Sequence, residues 1–530
     1  MAEKAMRRPL PELASYQALR SHAQEIEKRS LRDWFEQDPL RFETFSRELE
    51  QFLFDFSRNR ICDKTVDRLL DLSSECEVKS WRDRMFSGEP INLTENLPVQ
   101  HTALRDPDPA SGEPGGLQSR TLERMGALAE EIHEQGFTDV VHLGTGGSQL
   151  GPRLVCDAFS DNAQAGLSMH FVANADAREI NCVLKGREAG NTLFIIASKS
   201  FATAETLANA QAAKNWLLQN GIADPGIARH FVAVTSRPER ASAWGIPESQ
   251  MLPVWDSVGG RFSVWSAVGF GIVLYLGMPA FRQLLLGARE MDYHFRTASP
   301  KQNVPLLLAL LGIWNQHFMG TVAQVVLPYD TRLRYLPGYL QQLEMESNGK
   351  CVDRGGRALD VPGSAMVFGD VGTNAQHGFF QYLHQGSHVV HCDFIGVVRA
   401  GHSNRSQHEM LLSNMIAQAR ALMHGQTLEE AQARAQTAYA EHRVFPGNRT
   451  SNTILLRELT PHSLGQLLAL YEHKVFVEGI VLNVNSFDQP GVELGKNLAE
   501  CLLESLRSRD SVQGLDPATR ALLDYYRKHA

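Results

Sequence analysis

No two of the chain's seven cysteines form a CxxC pair. They stand scattered at 62, 76, 156, 182, 351, 392 and 501. Their odd number argues against a disulfide framework and for a reducing compartment. Long apolar runs are missing too, so no stretch reaches the length of a membrane span. The N-terminus carries Glu3, Lys4, Arg7 and Arg8 with no apolar core behind them, which is not the pattern of a signal peptide. These absences predict a cytoplasmic protein. There is no excess of positive charge: the net charge is −8, which argues against a general binder of nucleic acid or anionic membrane. HExxH and clustered acid–His spacings are lacking, so no metal site is expected. Low-complexity tracts and a clear internal repeat are also missing.

What remains is an ordinary globular composition, 43% hydrophobic and 21% charged over 530 residues, enough for two or three domains. Residues 1–115 read as a helical, polar-amphipathic extension, with aromatics at helical spacing in Leu31–Phe35 and Phe42–Phe45. Breakers crowd Asp106–Gly116 and mark a boundary. From 116 to 285, apolar strands at Val140, Met169–Ala173, Leu193–Ala197 and Phe231–Val234 alternate with helices, as in a parallel sheet covered on both faces. A second α/β unit is expected over 286–505. It has an apolar helix at Val304–Phe318 and strands at Val322–Leu327, Ala365–Phe368 and His388–Val398. The chain beyond 398 reads as mostly helical, with a helical tail over 506–530.

Six stretches carry candidate chemistry. Leu143–Pro152 runs from a strand through Gly144-Thr145-Gly146-Gly147-Ser148 into a helix. Bare N–H groups and a positive dipole end there suit an anion, usually a phosphate. A tight turn that binds nothing has the same pattern. Gln149 occupies the place of the third glycine of a dinucleotide fingerprint, and no Gly-Lys-Ser/Thr ending follows, so nucleotide binding is disfavoured. Ser198-Lys199-Ser200-Phe201-Ala202-Thr203 ends the next strand but one and offers hydroxyls at 198, 200, 203 and 206 at a helix start; a simple N-cap would need only one. Asp256–Ser263 puts Arg261 straight after two glycines, fit to hold a delocalised anion or to pair with a buried carboxylate.

Gln341–Lys350 places Gln342 and Glu346 four apart, which on an α-helix is one face. Asn348-Gly349 ends that helix, and a glutamate near a helix C-terminus is expected to have its pKa raised towards that of a proton shuttle. An exposed glutamate is the plainer reading. In Thr373–Gln381, His377 is expected at the start of a helix that also carries His384. Asn485–Lys496 runs from a turn through Gln489 into a helix bearing Lys496, which could equally be a solvated lysine.

Taken together and in this order, the stretches resemble the phosphoglucose isomerase family, from about residue 90 to 500. Ile91–Glu95, Gln100–Arg105, Asp256–Gly269, Met345–Lys350 and Phe487–Lys496 carry the likeness most closely. The resemblance implies two sugar-isomerase-type three-layer αβα domains with parallel sheets. It also implies interconversion of glucose 6-phosphate and fructose 6-phosphate in glycolysis and gluconeogenesis, without a cofactor. In that light Glu346 resembles the base that moves a proton between C1 and C2. His377 resembles the residue that opens the sugar ring, with Lys496 assisting, and Arg261 the residue that steadies the enediolate. Ser148, Ser198, Ser200, Thr203 and the Lys199 N–H resemble the phosphate ligands, while Gly147, Gln342 and Gln489 match positions lining the sugar. The family is dimeric and lends its histidine across the interface, so His377 is expected there. Ser200, Ala202, Ala204, Leu97-Pro98 and Pro490 depart from the family's usual residues, and none removes a catalytic group. A non-catalytic sugar-phosphate-binding regulator, or an isomerase of another sugar phosphate, would share the cradle.

Overall fold

The computed structural model describes residues 7–106, 113–223, 226–434, 439–508 and 514–530. It divides into two units, Met1–Ser486 and Phe487–Ala530.

In the first unit, the apolar runs Thr192–Ala197, Phe231–Thr235 and Val389–Val397 become strands buried on both faces. Eleven strands are described: β1 Ser46–Glu48, β2 Phe52–Asp55, β3 Asp139–Leu143, β4 Ser168–Val172, β5 Thr192–Ala197, β6 Phe231–Thr235, β7 Met251–Pro253, β8 Thr321–Tyr329, β9 Met366–Gly369, β10 Val389–Val397 and β11 Ser451–Leu456. The first sheet has the order β4-β3-β5-β6-β7 and is parallel throughout. Leu143 stands opposite both Val172 and Ile196, so the carboxyl ends of β3, β4 and β5 are level. The chain leaves β3 towards β4 on one side and returns to β5 on the other. That reversal makes the loops after β3 and β5 the walls of a topological switch point, where open α/β sheets bind ligands.

The second sheet has the order β1-β2-β11-β10-β8-β9. Its β11, β10, β8 and β9 are parallel, whereas β2 lies antiparallel to β11 and pairs with β1 as a hairpin. Two sequence expectations change here. The N-terminal segment is not purely helical: Arg41–Thr44 is one short turn, and the aromatic run continues as a strand with Phe52 and Phe54 buried. The chain beyond 398 also holds β11, whose polar start hid it. Asn452 is buried because its amide donates to Asp393 at 2.8 Å and meets His391 at 2.9 Å inside the sheet.

The helix Pro461–Leu482 is buried from Ser463 to its end, Glu472, His473, Lys474 and Glu478 included. A helix buried all round is a core element, and it packs against Met278–Thr297 and Val304–Phe318. Of the breaker-rich stretch, residues 107–112 lie outside the described residues, and Glu113 begins the helix Glu113–Glu134. No described helix is long and apolar enough to cross a membrane. In the second unit Pro490–Ser508 and Pro517–His529 are helices, joined by Arg527 donating to the Ser505 Oγ at 2.7 Å.

Candidate active site

The glycine run after β3 is shaped by what approaches it. Gly146 takes φ 57°, and a Cβ there would stand 2.8 Å from Gln342 Nε2. A Cβ at Gly147 would overlap the backbone of Gly260 and Arg261. These two positions therefore need glycine so that three distant stretches can meet. His142 is fully buried, its pKa pulled down to about 4 by desolvation, and its Nε2–H donates to the Ser148 carbonyl at 2.7 Å. The neutral imidazole thus fixes the turn from beneath.

Across the switch point, Ser198 Oγ and Thr203 Oγ1 lie 3.1 Å apart. Thr203 is the N-cap of the helix Ala204–Gln219, yet its hydroxyl caps nothing. It faces Ser198 instead, so the first N–H groups of the helix are not capped by it. Phe201 at φ 44° turns the loop between them. Burial pulls the Lys199 ammonium below its usual range, and Nζ donates to the carbonyls of Asp256 and Val258 at 2.8 and 3.1 Å. Lys199 thereby ties the cradle to the arginine loop by its side chain. The two loops touch where Thr145 Oγ1 stands 3.4 Å from Thr206 Oγ1.

Arg261 is 3% exposed and sits in the short turn Gly260–Phe262. Its Nε donates to Ser347 Oγ at 2.6 Å and one Nη to the Ser486 carbonyl at 2.6 Å. The other Nη lies 3.5 Å from Glu346 Oε1. Glu346 is held in an unusual segment. The α-helix Leu336–Gln341 passes into a π-helix over Gln342–Glu346, before Ser347 and Asn348. This corrects the expectation of one continuous α-helical face, since i→i+5 bonding widens the turn and offsets residues four apart. Single π-turns inside helices recur at functional sites. Glu344 goes into the core and Glu346 keeps an 18% exposed side chain against the guanidinium. A mostly buried carboxylate with some access to solvent, beside a buried, pre-oriented cation, is suited to taking a proton while an oxyanion forms.

Known proteins resemble the chain over nearly its whole length. The family model of phosphoglucose isomerase covers residues 55–523. The chain belongs to that family. Curated glucose-6-phosphate isomerases of Chlorobium luteolum and of Helicobacter pylori J99 are 43% and 41% identical, over 97% and 98% of this chain and 98% and 99% of theirs. The crystal structure of a glucose-6-phosphate isomerase from Chlamydia trachomatis superposes with a TM-score of 0.87 at 31% identity, covering 99% of this chain and all of that one. The family match extends beyond the stretch from about 90 to 500 that the motifs mark out.

Among the residues named from sequence, Gly147 lies against Arg261, Arg261 against Glu346, and Gln342 against Gly146; Ser148 follows in the same glycine turn, and Ser198, Lys199, Ser200 and Thr203 stand at the end of β5. His377 stands elsewhere than expected within its helix. It is in the last turn of Gly372–Gly378, exposed, while His384 belongs to the separate helix Phe380–Gln385. Among the described residues it makes no hydrogen bond or ion pair. Gln489 and Lys496 belong to the second unit, just before and on the helix Pro490–Ser508. Sequence reasoning missed Ser347 and Ser486, which hold the arginine. Their only signal was proximity to Glu346 and Gln489 in the chain.

Proposed function

We propose that the chain interconverts glucose 6-phosphate and fructose 6-phosphate through an enediol. The observation that carries this is Arg261 at 3.5 Å from Glu346, beside two loops at the switch point of a parallel sheet. Ser148, Ser198, Ser200, Thr203 and the Lys199 N–H hold the phosphate, and Gly147, Gln342 and Gln489 line the sugar. His377 and Lys496 open the ring at its oxygen. Glu346 then takes the proton from C2 of the open-chain aldose, and the freed electron pair makes the C1–C2 double bond while O1 becomes anionic beside Arg261. A proton passes from O2 to O1. Glu346 returns its proton to C1 as O2 becomes the carbonyl oxygen, so nothing is consumed. Such a base typically contributes on the order of 10²–10⁴-fold. The working form is a cytoplasmic homodimer whose site takes His377 from the neighbouring subunit.

A coupled assay with EDTA present tests the reaction, and Glu346→Gln tests the base. The native chain should convert fructose 6-phosphate, and the variant should bind it normally but lose exchange of the C1 proton with solvent. Near-normal turnover in the variant removes Glu346 from this role.

A further inference from the structure

We infer that Lys474 is a positioning residue, which sets the base and the enediolate-binding arginine through a buried polar chain. The inference rests on the reading of Glu346 and Arg261 given above. Lys474 lies on the buried helix Pro461–Leu482 and is 3% exposed. Its Nζ donates to Glu344 Oε2 and Glu478 Oε2, both at 2.8 Å. Glu344 belongs to the π-turn, two residues before Glu346. Its other oxygen accepts from Ser364 Oγ at 3.0 Å and Asn348 Nδ2 at 3.4 Å. Asn348 Oδ1 accepts from Ser486 Oγ at 2.7 Å, and the Ser486 carbonyl accepts from Arg261 at 2.6 Å. The chain therefore runs through the interior from Lys474 to Arg261, and it holds Glu344, two residues along the π-turn from Glu346.

The charges suit a fixed frame. Burial pushes the Glu344 carboxyl up, but Lys474 and the surrounding hydrogen bonds outweigh it and hold the group below its usual range. Burial and the neighbouring Glu344 charge push Glu478 well above it, opposed by Lys474. Two glycines leave room for it. A Cβ at Gly312 would collide with Glu478 Oε1, and one at Gly479 would collide with Ser486 Oγ and stand 2.9 Å from Asn348 Oδ1. A π-turn has looser hydrogen bonding than an α-helix, so a frame that pins its middle residue decides where Glu346 points.

The test uses the full-length enzyme with Lys474→Met, Lys474→Arg and Ser486→Ala, each checked for native melting and size. Ser486→Ala cuts the chain at its far end and removes no buried charge, so it stays informative if Lys474→Met does not fold. The readouts are kcat, KM, and binding of the aldonic acid 6-phosphate, whose carboxylate resembles the enediolate. The expected result is a fall in kcat of about 10- to 100-fold with KM within about twofold, as an interaction needed only at the transition state predicts. The aldonate should bind about 10-fold more weakly, and Lys474→Arg should restore part of the loss. Folded variants with native kcat and native aldonate affinity overturn the inference, as does a loss confined to KM. If the native chain itself fails to isomerise fructose 6-phosphate, it is the proposed function that has failed.

Discussion

A methyl group at Gly147 would have to occupy space already filled by the backbone of Gly260 and Arg261. Neither partner is a flexible side chain, so the strain cannot relax cheaply. Gly147→Ala should destabilise the protein by about 1–3 kcal/mol, the usual range for overpacking, and should raise KM by displacing the arginine turn. Thermal melting and steady-state kinetics check this, and an unchanged melting point with unchanged KM would count against the close approach. At the residue scale, Gly147 and Arg261 stood out in the sequence because a glycine run and an arginine after two glycines are unusual local patterns. Lys474 did not. A lysine four residues before a glutamate in an apolar helix looks like a snorkelling surface pair, and only burial among three helices makes it a core charge.

Among the elements, the loop after β5 shows how hydroxyls can be released from structural duty. The Thr203 side chain declines to cap the helix that it begins and faces Ser198. Hydrogen bonds to a charged group are worth about 1.5–3 kcal/mol each. Ser198→Ala with Thr203→Ala should therefore raise KM for the phosphorylated sugar at least about 10-fold, with a smaller change in kcat. An unchanged KM would move the phosphate elsewhere. Strands and long helices were legible because apolar periodicity reports burial, as at Val304–Phe318, where the expected and observed ends agree. β11 and the β1–β2 hairpin were not. In β11 the inward-facing Asn452 is satisfied by Asp393 and His391, from a strand about sixty residues away, so local pattern carries no trace of it. The π-turn was equally hidden, since its sequence is compatible with an ordinary helix.

For the whole molecule, we propose that the exposed His377 completes the site of a neighbouring subunit. Co-expressing Glu346→Gln with His377→Ala chains tests that directly. In each mixed dimer one site combines both native residues and the other has neither, so about a quarter of native activity should return from two inactive parents. No recovery in verified mixed dimers would place His377 within its own subunit's site. By itself the sequence determined the class of chemistry. Glycines, hydroxyls, an arginine and a glutamate, in one order along the chain, give the resemblance to the phosphoglucose isomerase family, and that family implies phosphate holding and proton transfer. Only the tertiary structure decided which of them work together. The distance between Arg261 and Glu346 depends on a turn at 260, a π-segment at 342–346 and a carbonyl at 486, joined through buried hydrogen bonds. Those contacts span more than two hundred residues of chain, and no local preference encodes a distance across a core.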